Sequence, residues 1–216
     1  MAGLERADTG SVRVAGQELT KLSEDQLAIF RGNAVGIVFQ SFHLIPTMTA
    51  IENVAVPLEL TGRADAFERA KRELEGVGLG ERIHHYPAQL SGGMARRVAL
   101  ARAIALDPMM VLYDEPFAGQ DPISMGVLVK LIRTLNDALG LTSVIVSHDV
   151  KETAAIADYL YLISDGQIVE HGTPHELDRS NSPWVDQFMH ALPDGPMSFH
   201  YPASPYEIDL LARALA

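Results

Sequence analysis

Residues 90–121 read LSGGMARRVALARAIALDPMMVLYDEPFAGQD. A serine and two glycines, Ser91, Gly92 and Gly93, open a helical run over 95–106. The start of a helix presents free backbone N–H groups and positive potential, so it can receive a phosphate. Residues 109–113 are continuously apolar, as a strand buried in a parallel sheet reads. That strand ends in Asp114, Glu115 and Pro116, at the sheet edge where open α/β folds bind ligands. There Asp114 has the chemistry to hold Mg²⁺, and Glu115 to orient or deprotonate a water. Taken singly, Ser-Gly-Gly is a turn with a helix cap and the carboxylate pair is a solvated loop.

Working outward, the pattern repeats. Residues 34–39 and 142–146 are short apolar runs that predict further buried strands, and 11–15 alternate like a half-buried one. Gln40 and His148 stand just beyond two of these runs. Leu128, Leu131, Ile132, Leu135 and Leu139 form one helical stripe, started by Asp121-Pro122 and stopped by Gly140. Strand, helix and strand over 109–146 therefore make a crossover unit with parallel strands. Residues 159–163 and 167–170, divided by Asp165-Gly166, predict a hairpin that closes the sheet. Helical blocks at 50–60 and 64–77 predict a separate small subdomain.

Composition sets limits. The 216 residues carry 17 basic and 28 acidic side chains, a formal charge of −11, which argues against a nucleic-acid binder. The longest apolar runs are five residues, against the ~20 needed to span a bilayer. Residues 1–10 contain no signal-peptide core, and the absence of cysteine excludes disulfides and thiolate chemistry. His171 and His175 flank Pro174 and read as a polar loop rather than a metal site.

In their order along the chain, Gln40, Ser91-Gly92-Gly93, Asp114-Glu115, Gly119-Gln120-Asp121 and His148 resemble an ABC-type ATPase domain. The resemblance covers nearly the whole chain. It implies an α/β, P-loop NTPase-like parallel sheet with a small helical subdomain at about 46–106. The ATPase domain would occupy 1–182 and a C-terminal extension 183–216. It further implies that ATP and Mg²⁺ are the cofactors. Gln40 would be the Q-loop glutamine, helping to place Mg²⁺ and water. Ser91, Gly92 and Gly93 belong to the signature motif that serves the nucleotide of the opposite subunit in a head-to-tail dimer. Asp114 would be the Walker B aspartate for Mg²⁺, Glu115 the general base, Asp121 part of the D-loop, and His148 the switch histidine at the terminal phosphate.

The phosphate-binding pattern G-x-x-x-x-G-K-[ST] does not occur: the lysines are Lys21, Lys71, Lys130 and Lys151, and none follows a glycine. Residues 2–10 resemble the segment just downstream of that loop, so the first strands and the loop are expected to be lacking. With them would go the partner strand of 142–146, leaving an open ladder edge and weakened folding. Residues 35–54 resemble lipoprotein-release and macrolide-export ATPases, whereas 94 onward resembles the Mla-type phospholipid transport ATPase.

The partners implied are a transmembrane permease, received by Phe42 to Pro46 after Gln40, a second ATPase subunit in a homodimer, and a small regulatory subunit. The location implied is cytoplasmic, peripheral on the inner face of the cell membrane. In the tail, Trp184, Phe188, Phe199, Tyr201 and Tyr206 point to an extension that packs on a neighbouring surface; the plain alternative is a solvated tail. Two functional alternatives stand beside the lipid transporter: a non-catalytic, ABC-derived interaction module, and a lipoprotein-release or efflux ATPase.

Overall fold

A computed structural model of the chain describes residues 3–197. The chain divides into two compact units, one up to residue 153 and one from 154 onward.

In the first unit a parallel sheet has the order β3 (Val35–Val38), β4 (Met110–Asp114), β5 (Thr142–Val146). Register aligns Val38 with Tyr113 and Asp114 with Val146, so all three strands end at one edge. Before the sheet come a two-residue ladder of β1 (Arg13–Val14) with β2 (Gln17–Glu18), and then α1 (Glu24–Ala34). The strand expected over 11–15 thus shrinks to two residues. α1 starts at a capping box, in which Ser23 accepts from the Gln26 amide and Gln26 returns the bond. Among the described residues β5 pairs only with β4, and Val146 is exposed.

The helical layer consists of α2 (Ala50–Leu60), α3 (Ala66–Gly76) and α4 (Gly92–Ile104), which pack on one another. Val54, Ala55, Leu58, Ala70, Leu74, Val98 and Ala99 are fully buried in this unit. Thr49 and Glu52 form a capping box that starts α2. Strand β3 lies so close to α4 that a Cβ on Gly36 would sit 2.3 Å from the Ala103 carbonyl oxygen. The crossover helix α5 (Pro122–Leu139) begins at the Asp121 cap and ends at Gly140, whose φ of 62° only glycine adopts easily. α6 (Val150–Ile156) follows β5.

In the second unit, β6 (Leu160–Ser164) and β7 (Gln167–Gly172) form the expected hairpin, with positive φ at Asp165 and Gly166 as a type I′ turn requires. Among the described residues the hairpin pairs only within itself, as a two-stranded sheet, where the sequence led to the expectation that it closes the parallel one. Backbone alternation identifies the hairpin but says nothing of which ladder it joins. Helices α7 (Pro174–Asp178) and α8 (Pro183–His190) complete this unit, where Val185 is buried with Leu162 and Leu177. Residues 183–190 are therefore a packed helix and not solvated tail. Phe199, Tyr201 and Tyr206 lie outside the described residues. Among the described residues, no helix is long and apolar enough to cross a membrane.

Candidate functional site

Parallel register does most of the assembly. Because β3, β4 and β5 end together, the residues just past their C-termini share one edge: Gln40, Asp114 and Glu115, and His148. Gln40, Asp114 and His148 are exposed, and Glu115 is half-buried.

Glu115 and His148 are in direct contact. His148 Nδ1 lies 2.8 Å from Glu115 Oε2, and the same oxygen accepts from the Ser147 hydroxyl at 3.3 Å and the His148 amide at 3.4 Å. Glu115 also donates its amide to the Val146 carbonyl at 2.9 Å, which fastens it to the end of β5. Its φ of 46° is left-handed for a residue with a Cβ, a strained conformation of the kind that collects at working sites. The hydrogen bond and negative charge of Glu115, with a further contribution from Asp149, hold the His148 pKa above its ordinary value.

Ser91 and Asp121 both act as caps. The Ser91 hydroxyl accepts from the Met94 amide at 3.3 Å, starting α4, and leaves Gly92 with open space around it. Asp121 accepts from the amides of Ile123 and Ser124 at 3.0 Å each. The bonds from Ser124 hold its carboxyl below the usual range. A Cβ on Gly93 would be 3.7 Å from Ser124, so the starts of α4 and α5 adjoin. Among the described residues neither Ser91 nor Asp121 hydrogen-bonds to Glu115 or His148, so these two caps stand apart from the strand-end pair.

Three residues that the sequence reading passed over shape the loop after Gln40. Buried Asn53 accepts from the Ile45 amide at 2.7 Å and donates to the carbonyls of Ile45, Met48 and Thr49 at 3.0–3.1 Å. Arg102 on α4 donates to the carbonyls of Phe42 and His43, both at 2.7 Å, where the backbone has positive φ. Arg96 places its guanidinium 4.7 Å from the Phe42 ring centroid and donates to the Ala118 carbonyl at 2.9 Å. The sequence signal for Asn53 is a polar residue on the apolar face of α2. For the arginines there is none, because their partners are main-chain atoms remote in sequence.

A parallel sheet whose strand ends carry glutamine, aspartate, glutamate and histidine, in a unit that also holds a glycine-started helix, fits an ATP-binding cassette. The chain belongs to this family: the profile described as "ABC transporter" matches residues 1–118. It is 45% identical over 207 residues to the intermembrane phospholipid transport system ATP-binding protein MlaF of Escherichia coli K12, covering 94% of this chain and 77% of that one. The MlaF of Haemophilus influenzae is 46% identical over 206 residues, covering 94% and 78%. Among solved structures, the dimeric ATP-binding cassette MJ0796 in a post-hydrolysis state, bound to ADP and Pi, superposes with a TM-score of 0.72. It is 32% identical, covering 80% of this chain and 77% of that one.

Proposed function

We propose that the chain is the ATP-hydrolysing subunit of a transporter that moves phospholipid or a related lipid, and that it works as a dimer against a membrane permease. The observation that carries this reading is the strand-end edge of Gln40, Asp114, Glu115 and His148, with Glu115 and His148 2.8 Å apart. The lipid substrate is supported by the MlaF relatives.

The donor set fits a small divalent cation. Asp114 offers an exposed carboxylate and Gln40 an exposed amide at neighbouring strand ends, the oxygen ligands that Mg²⁺ prefers. The opening turn of α4 fits a phosphate, since nothing lies within 4 Å of a Cβ built on Gly92. When bound, MgATP supplies the phosphoanhydride and the cation that offsets its charge. Asp114 and Gln40 would hold the cation, and Ser91, Gly92 and Gly93, with Asp121 nearby, would face the nucleotide of the opposite subunit. Glu115 would take the proton from the attacking water on its carboxylate. His148, its charge favoured by Glu115, moves between that carboxylate and the terminal phosphate. Phe42 to Pro46, braced by Asn53 and Arg102, receive the permease; a small regulatory subunit is a further partner.

Residues 1–182 are read as the ATPase domain, with its helical subdomain at about 46–106, and 183–216 as an extension. The chain would act at the inner face of the cell membrane. Because the 216 residues hold no G-x-x-x-x-G-K-[ST] stretch, they are expected not to bind MgATP with ordinary cassette affinity by themselves. The same observation favours a second reading, an interaction module that occupies a permease without hydrolysis. Titration of a fluorescent ATP analogue decides between them. It is run on the 216-residue chain and on the same chain preceded in frame by a cassette segment bearing that loop. Saturable binding only in the second sample supports the ATPase reading. No binding in either sample supports the module.

A further inference from the structure

We infer that Glu115, His148 and Asp149 form a binding site for a transition-metal dication of the Zn²⁺ class, separate from the Asp114–Gln40 position proposed for Mg²⁺. One donor atom from each of the three lies within 4.8 Å of the other two. A metal about 2.0–2.2 Å from imidazole nitrogen and carboxylate oxygen sets neighbouring donors roughly 3.0–3.5 Å apart. The His148 Nδ1 to Glu115 Oε2 separation of 2.8 Å is close to that spacing, and the Asp149 oxygen, within 4.8 Å of both, closes in on the ion as the third donor. One imidazole and two carboxylates suit Zn²⁺, Co²⁺ or Mn²⁺ better than Mg²⁺, which prefers oxygen ligands alone.

The Asp149 carboxylate is itself left partly unsatisfied. Its Oδ2 is buried and has no hydrogen-bond partner. A buried carboxylate oxygen without a partner is costly, and a cation within reach removes that cost. The backbone holds the donor in place: the Asp149 amide donates to the Ser147 hydroxyl at 3.0 Å, and its carbonyl accepts from the Thr153 amide at 3.0 Å and the Thr153 hydroxyl at 2.8 Å. His148 is exposed, with 72% of its side chain accessible, which leaves a route of entry and room for water on the open positions.

Occupation would take the place of the proton between His148 and Glu115 and tie up both side chains. This consequence, inhibition of hydrolysis, rests on the reading of Glu115 as the base; metal binding itself does not. The test titrates ZnCl₂ into the 216-residue chain in nucleotide-free, Mg²⁺-free buffer, followed by calorimetry and, with Co²⁺, by visible absorption. One equivalent is expected to bind with a Kd on the order of micromolar. His148→Ala and the conservative Asp149→Asn should each weaken binding about tenfold or more, and His171→Ala should leave it unchanged. No uptake up to millimolar Zn²⁺, or uptake indifferent to Asp149→Asn, overturns the site. Uptake lost with His171→Ala and kept with His148→Ala overturns it as well. If the 216-residue chain takes up Zn²⁺ but the chain joined to a phosphate-loop segment, assayed with chelator present, hydrolyses no ATP, this site stands and the ATPase reading falls; hydrolysis by the joined chain without Zn²⁺ uptake does the reverse.

Discussion

Gly36→Ala is the most informative single methyl group to add. Its Cβ would meet the Ala103 carbonyl oxygen at 2.3 Å and the carbonyl carbon at 3.0 Å, where ordinary contact begins at 3.4 Å. The shortfall to the oxygen is about 1.1 Å, and the obstacle is main chain, so no rotamer change relieves it. Either β3 or α4 must move. Overpacking of a close-packed interior costs ~1–3 kcal/mol, and a main-chain obstacle puts this case at the top of that range. Replacing glycine inside a strand returns ~0.5–1 kcal/mol of backbone entropy. The expected net loss is about 2–3 kcal/mol, a sizeable share of the ~5–15 kcal/mol that holds a domain. Gly126→Ala is the control, because that glycine lies inside α5 with nothing within 4 Å of its added Cβ. It should gain about 0.5–1 kcal/mol. Urea unfolding followed by circular dichroism reads both. With a slope of ~1–3 kcal/mol/M, Gly36→Ala should lower the midpoint by roughly 0.7–3 M. A Gly36→Ala midpoint within error of wild type would refute the claim that the β3–α4 seam is packed to contact.

Three further outcomes follow from the same contacts. Asn53→Ala strips partners from the Ile45 amide and three carbonyls; it should cost about 2–4 kcal/mol and speed hydrogen exchange at Ile45 at least tenfold, and unchanged exchange would contradict this. Arg102→Ala should cost about 2 kcal/mol, with Arg102→Lys recovering less than half, because an ammonium lacks the fork that reaches both the Phe42 and His43 carbonyls. In metal-free buffer the Glu115–His148 ion pair stabilises the fold fully below the ordinary histidine pKa of ~6.5, and its contribution fades as pH rises through the raised His148 value. Glu115→Gln should bring the His148 NMR titration midpoint down toward ~6.5, and a midpoint that does not move would count against the pairing.

Much of this architecture is legible in the sequence where local chemistry and the final fold agree. Strand β5 matches its apolar run over 142–146, and α2 and α5 begin at Thr49 and Asp121 because those side chains cap them. The alignment of Gln40, Glu115 and His148 at one edge follows from parallel strands ending in register. Helix α1 has only a short apolar stripe, buried Leu27 and Ala34 with half-buried Phe30 between them, and exposed Ile29 blurs it; its Ser23–Gln26 capping box is the clearer signal. Helix α8 hides in a proline-rich stretch, where Pro183 marks a first turn rather than a break. The loop after Gln40 is the least legible part of the site. Asn53 leaves a signal there, a polar residue on the apolar face of α2, but Arg96 and Arg102 act on ring and main-chain atoms remote in sequence, and no pattern of residue types encodes such partners.

The proposed ATPase function rests on the proposed role of Glu115 as the base at the strand-end edge. Its most direct test is the steady-state rate of phosphate release from MgATP by the chain joined to a phosphate-loop segment, compared with its Glu115→Gln variant. Loss of a general base should lower that rate by about 10²–10⁴-fold while binding of the fluorescent nucleotide persists. A variant that releases phosphate within twofold of the parent would contradict the claim.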